Sequence, residues 1–284
     1  MLAFTGMAAL QTAVVLVLAN AVDGGLVAFQ LALSLFSLPI AVVVWPVARA
    51  LIPQLARRSR LDDGAFAGEV RRATGLVTFV TAPTAVAYVV LAVPIGHAIA
   101  FGAFETGDGA RLVAVALGAL GLCVLAEGWF VLATSAFYAV GNVRTPVRSM
   151  LVRVTVAAPL MFCSLAVDGA MVLFVLGVGM TAGAFAGAAH AWYSLSRRLG
   201  TRLPIRRMVE TLIASIAMSI PAAATAWWLP TILPPGELGD VLVVVGSAIV
   251  GAATYTVVQV RRRAHELEDL SAVAWKRSRA AGAP

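Results

Sequence analysis

Residues 137–149 read FYAVGNVRTPVRS, and two apolar runs, 110–136 and 146–166, close on this stretch from either side. Glycine and asparagine accept the backbone angles that end a helix. Proline suits the first turn of a new one, where its missing N–H costs nothing. Arg144 and Arg148 call for water or lipid headgroups. Hydrophobic residues make up 61% of the 284 and charged residues 12%, with a mean hydropathy of +0.92. A soluble domain is nearer half apolar and a quarter charged. Apolar blocks of about 20 residues cross a hydrocarbon core about 30 Å thick. The stretch therefore reads as a tight turn between two membrane helices, Gly141 and Asn142 ending one and Thr145 and Pro146 starting the next.

Working outward, the apolar runs predict eight spans, at 3–22, 25–55, 73–98, 110–136, 146–166, 168–194, 208–230 and 238–260. Backbone polar groups in a bilayer must be satisfied within the protein, so each run is read as a helix. The fold class is all-α, a polytopic membrane helix bundle. No short apolar stretch with a cleavage site precedes the first run, so no signal peptide is read. Cys123 and Cys163 sit inside apolar runs without metal-ligand spacing and read as small hydrophobes.

The charges orient the bundle. Arg57, Arg58, Arg60, Arg71 and Arg72 lie in 56–72, Arg144 and Arg148 in the quoted turn, and Arg197, Arg198, Arg202, Arg206 and Arg207 in 195–207. Arg261, Arg262, Arg263, Lys276, Arg277 and Arg279 lie in the tail. The alternate connections carry Asp23, Glu105, Asp108, Asp168, Glu237 and Asp240, with Arg111 their one base. Basic loops stay in the cytoplasm, which places both termini there. The net charge of +7 is thus a topology signal, and no nucleic-acid partner is implied.

The quoted turn also resembles a family signature. FYAVGNVRTPV is similar to the Phe-Tyr-Ala-x-Gly-(Asp/Asn)-x-(Arg/Lys)-Thr-Pro segment of the MurJ/MviN family of lipid II flippases, within the multidrug/oligosaccharidyl-lipid/polysaccharide exporter superfamily. QLALSLFSLPIAVVVWPVARALIPQLAR (30–57) resembles the family helix with a mid-membrane proline and a terminal Leu-(Ile/Leu)-Pro-x-Leu-(Ser/Ala)-(Arg/Lys). FGAFETGDGAR (101–111) looks like its Phe-Gly-x-Gly-x-Phe loop, and Gln11 sits where the family commonly has glutamine. Family members usually have two six-helix lobes and two extra C-terminal helices. The resemblance implies that 1–195 is a second lobe, 196–260 the two additional helices and 261–284 a basic cytoplasmic tail, with a first lobe missing. One departure stands out: the family carries charges, an arginine among them, at positions matching Leu33, Ser34 and Ser37.

Candidate functional residues follow from polar groups inside the spans. Gln30, Ser34 and Ser37 share one helix face, read either as packing or as the lining of a cavity. Pro39, Pro46 and Pro53 predict a bent second helix, read either as a moving part of a transporter or equally as passive shape. Arg49, Glu127 and Arg153 are ionisable groups within spans, each costing about 2.5–3.5 kcal/mol at a helix centre. Glu127 and Arg153 lie at matching depth about the quoted turn, about 10–15 Å in at 1.5 Å per residue, which permits an ion pair, the other reading being that Arg49 and Arg153 snorkel to the headgroups. With Arg49 they would form a cluster at the cytoplasmic mouth, its arginines attracting a pyrophosphate headgroup. Gly179, Gly183 and Gly187 read as a close-packing face. His97, His190 and His265 are given no role. No catalytic triad, metal spacing or phosphate loop is visible, so no cofactor and no metal are implied.

The expected function is that of the C-terminal portion of a lipid II flippase. By the resemblance, it would move the undecaprenyl-pyrophosphate-linked peptidoglycan precursor across the bacterial cytoplasmic membrane by alternating access, serving cell wall biogenesis and cell shape. Its partners would be the lipid-linked glycan, membrane lipids and the missing lobe. Alternatives are export of another lipid-linked glycan, or a half-transporter acting as a scaffold subunit.

Overall fold

The computed structural model describes residues 2–58, 63–100, 108–199, 204–234 and 236–262. Over these, the eight apolar runs appear as eleven helices, because three runs are interrupted. They are α1 (Leu2–Ala19), α2 (Gly25–Pro39), α3 (Trp45–Arg58), α4 (Asp63–Val90), α5 (Ala92–Ile99), α6 (Gly109–Gly121), α7 (Cys123–Ala139), α8 (Arg144–Phe162), α9 (Ala170–Leu199), α10 (Ile205–Trp228) and α11 (Glu237–Arg261). By length and composition six stretches can each cross a membrane: Gly25–Ala56, Gly64–Val90, Arg144–Ala166, Ala170–Arg198, Ile205–Thr231 and Glu237–Arg261. The bent pair α6 and α7 makes a seventh, and Ala3–Ala19 is a shorter apolar helix. Much of the tail, the start of the 101–111 loop and Arg60, Arg202 and His265 lie outside the described residues.

The second span is distorted without being broken. After Pro39 the chain makes a π turn over Ile40–Val44, with the Trp45 N–H bonded to the Ile40 carbonyl, and continues as one span of 32 residues. Pro39 has no N–H to offer the carbonyl of Leu35 four residues back. The hydroxyl of Tyr88, on α4, donates to that carbonyl at 2.7 Å. The same solution recurs on α4. Pro83 leaves the carbonyl of Phe79 without its donor, and the Tyr255 hydroxyl, from α11, fills the gap at 2.7 Å. A neighbouring helix re-satisfies each freed backbone group, as a membrane interior requires.

Two departures from the sequence reading concern the other interrupted runs. The predicted loop 56–72 is largely helical, since α3 runs to Arg58 and α4 starts at Asp63. Polar residues there end the apolar signal but not the helix. The predicted single span 110–136 is two helices meeting at 42° about Leu122. Gly121 lies against α4, where a Cβ would meet Val89 Cγ2 at 2.7 Å and the Ala85 carbonyl at 3.1 Å. The Ala119 carbonyl, four residues before Cys123, accepts from Thr181 of α9 at 2.8 Å.

α9 runs through the centre. One buried group, including Leu55, Phe66, Val77, Leu132 and Trp192, joins α3, α4, α7 and α9. A second, including Phe29, Leu117, Met161 and Leu173, joins α1, α2, α6, α8 and α9. α10 and α11 form a hairpin against α4 and α5, centred on Phe79, Ala214, Met218 and Tyr255. The outward face of α10 is apolar, with Ile213, Ile216, Ile220 and Trp227 exposed, which water would penalise and lipid does not.

Candidate functional site

The quoted turn folds as its residues suggest. Gly141 has φ 73°. The Gly141 N–H reaches the Tyr138 carbonyl at 3.0 Å and the Asn142 N–H reaches Phe137 at 2.9 Å, the paired closure of a Schellman ending. The Asn142 Oδ1 then accepts from the Thr145 N–H at 3.2 Å while Nδ2 donates to Thr145 Oγ1 at 3.0 Å. Asn142 thereby closes α7 and opens α8, and Pro146 lies buried in the first turn of α8.

This turn sets the register of what lies above it. Along α8, Thr145, Ser149, Arg153, Ala157 and Met161 are all buried and recur every four residues, one helix face. The first three are polar. Ser149 Oγ donates to the Thr145 carbonyl and shares a 2.9 Å hydrogen bond with His190 Nδ1 of α9. Arg153 Nη1 meets Glu127 Oε2 of α7 at 2.5 Å, and Nε donates to Gln11 Oε1 of α1 at 3.2 Å. The guanidinium lies 5.5 Å from the centre of the Phe130 ring. Arg153 is 8% exposed. Burying an unpaired charge there would be costly, and the carboxylate, the amide and the ring supply what water would have given.

The α8–α9 seam holds this cluster in place. A Cβ on Gly183 would meet Ala157 Cβ and the Arg153 carbonyl, both at 2.7 Å. One on Gly187 would meet Arg153 Cβ at 3.0 Å and Phe130 at 3.2 Å. Only glycine lets the two backbones approach so closely.

The structure therefore brings Glu127 and Arg153 together. It adds Gln11, which the sequence reading had placed by resemblance alone, and His190, which it had given no role. Arg49 does not join them. It is exposed on α3, with its guanidinium 5.8 Å from the ring of Trp45 on its own helix. The expected three-member cluster fails there, because similar depth in two spans does not bring their side chains onto facing sides. Gln30, Ser34 and Ser37 are exposed along α2, both serines bonding back to their own helix. Pro53 lies within α3 without interrupting it. A feature the sequence did not suggest is a cavity of about 640 Å³ where α5 ends and α6 and α11 begin, lined in part by His97, Asp108, Arg111, Glu237 and Asp240.

Apolar spans interrupted at prolines and bends, with an ion pair enclosed among three of their helices, define a polytopic α-helical membrane bundle. The sequence model described as lipid II flippase MurJ matches residues 1–245. The chain belongs to that family. A solved structure titled lipid II flippase MurJ, inward closed conformation, shares the fold with a TM-score of 0.75 at 16% identity. The match covers 92% of this chain and 52% of that one, so the chain spans about half the length of the solved relative. No curated protein matches the sequence.

Proposed function

We propose that this chain is part of a lipid II flippase, moving the undecaprenyl-pyrophosphate-linked peptidoglycan precursor between leaflets of the bacterial cytoplasmic membrane by alternating access. The observation that carries the reading is the family match over residues 1–245. Transport of this kind makes and breaks no covalent bond. The solved relative is about twice as long, and a six-helix first lobe is the partner this reading requires.

In this reading the exposed face of the second span turns toward that lobe. Gln30, Ser34 and Ser37 would line the shared cavity, and Arg49, exposed and unburdened by a carboxylate partner among the described residues, would meet the pyrophosphate. Arg153 is poorly suited to that task, because its guanidinium is buried and engaged. The α10–α11 hairpin, apolar on its outer face, would run beside the polyprenyl tail. The basic ends of α8, α9, α10 and α11 would face the cytoplasm.

A second reading, a half-transporter serving as a scaffold subunit, is favoured by the absence of charge at Leu33, Ser34 and Ser37. Cells depleted of their own flippase separate the two. The flippase reading expects lipid II to reach the outer leaflet when this chain is expressed together with a six-helix first lobe of the family, and not when either is expressed alone. Failure of the co-expressed pair, with both parts present in the membrane, would leave the scaffold reading.

A further inference from the structure

One strip of the second span stays open along its length. Gln30, Ser34, Ser37, Ala41, Trp45 and Arg49 are all exposed, three or four residues apart, and the strip runs on through the π turn. The opposite side, with Val44, Ala48, Leu51 and Leu55, is buried against α4 and α7. Acyl chains are a poor neighbour for the polar members of the strip.

Trp45 and Arg49 answer to each other. The span has 32 residues, Gly25–Ala56, so Trp45 lies about 7 Å and Arg49 about 13 Å from its midpoint at 1.5 Å per residue. An arginine near the edge of a core about 30 Å thick can snorkel, extending its head to the headgroups at the Ala56 end. Arg49 does the reverse. Its guanidinium lies 5.8 Å from the centre of the Trp45 ring. That ring belongs to the residue one turn nearer the midpoint, and helical side chains lean further the same way. The guanidinium bonds to no other group among the described residues. A cation folded back toward the apolar middle is tolerable where the strip borders a polar space. Tryptophan is the ring best suited to cover a cation. The N–H edge of the guanidinium is left free, and that edge pairs with two oxygens of a phosphate at once.

We propose that Trp45 and Arg49 form a subsite for the diphosphate of a lipid-linked substrate. Arg49 supplies the contact. Trp45 is its positioning residue, holding the guanidinium toward the midpoint and away from the headgroups. The identity of the ligand rests on the flippase reading; the inward turn of the arginine does not.

The full chain in nanodiscs of phosphatidylcholine is titrated with undecaprenyl pyrophosphate, and bound lipid is read by native mass spectrometry. Arg49→Gln should weaken binding about ten-fold or more, the scale of a hydrogen bond to a charged group. Trp45→Leu should weaken it about three-fold, the scale of an exposed cation–π contact, and Trp45→Phe, which keeps a ring, by about two-fold or less. In an Arg49→Gln background, Trp45→Leu should change nothing further, since no guanidinium remains to be held. If Trp45 acted only through structure, its removal would weaken binding equally in both backgrounds, and that result overturns the subsite. Parent-like binding by Arg49→Gln overturns it too, as does a parent chain that binds no undecaprenyl pyrophosphate. Phosphatidylglycerol at the same concentration separates the two sources of phosphate. Weak competition supports the diphosphate assignment, and competition as strong as that of undecaprenyl pyrophosphate itself overturns it in favour of any anionic headgroup. Both positions lie on the open side of α3, so the changes spare its packed face. Binding needs neither a first lobe nor transport. The subsite can therefore fail while the co-expressed pair still flips lipid II, and it can stand if that pair flips nothing.

Discussion

Tyr88 and Tyr255 each deliver a hydroxyl to a carbonyl that a proline on another helix has freed. Removing the hydroxyl should therefore cost more than a surface hydrogen bond does. Tyr88→Phe is expected to destabilise the chain by about 1–3 kcal/mol, the penalty of a polar group left unpaired away from water. In a Pro39→Ala background, residue 39 regains its own N–H and the Leu35 carbonyl no longer depends on Tyr88. The same Tyr88→Phe change should then cost roughly 0.5 kcal/mol or less, and denaturant unfolding of the four proteins in detergent reads the coupling. Simple additivity would show that Tyr88 acts by packing alone. The prolines themselves were plain in the sequence. Their tyrosine partners were not, because they lie 53 and 176 positions from the carbonyls they serve. The Glu127–Arg153 pair was legible for the opposite reason: a short turn places equal distances along two helices at equal depth.

The glycine seam is the feature of the elements most open to test. Gly183→Ala puts a methyl group where a side chain and a backbone carbonyl already stand, so α8 and α9 must separate. A loss of about 1–3 kcal/mol is expected, the range for overpacked interiors. Gly6→Ala is the matched control. A Cβ there meets nothing within 4 Å, and the change should stabilise α1 by roughly 0.5–1 kcal/mol through helix propensity. Thermal melts of the purified chain should move in opposite directions. Equal losses would mean that seam contact is not what distinguishes these glycines. At this scale the apolar runs announced where helices lie, because a bilayer leaves few alternatives. Two interruptions stayed hidden. Leu91 and Leu122 break their helices with residues as apolar as their neighbours, and the bend at Leu122 coincides with Gly121 packing on α4, a contact no local pattern reveals. Arg49 was grouped with the pair by depth alone, and equal depth does not say which helix face a residue occupies or which neighbour it meets.

For the molecule as a whole, orientation is the reading that governs all others. Cys163, exposed at the end of α8 remote from the Asn142 turn, should react in intact cells with a membrane-impermeant maleimide. Asn142→Cys, in a Cys163→Ser background, should react only once the cells are opened. The reverse pattern would invert the bundle and remove the cytoplasmic entry that the flippase reading needs. The arginine distribution is what carries this expectation, since charge placement acts at insertion and is written along the chain. What the chain could not announce is which exposed face meets another lobe, because lipid and protein accept the same apolar surface.

The tyrosine-plugged carbonyls carry a consequence for how the chain is made. Helix α2 emerges from the ribosome with an unfilled carbonyl that only α4 can satisfy, and α4 emerges with one that must wait for α11. Each early segment stays incomplete in the bilayer until a later one arrives. Biogenesis should thus proceed by deferred closure, and a nascent chain arrested before residue 255 should remain a substrate for quality-control proteolysis however well its individual helices have inserted.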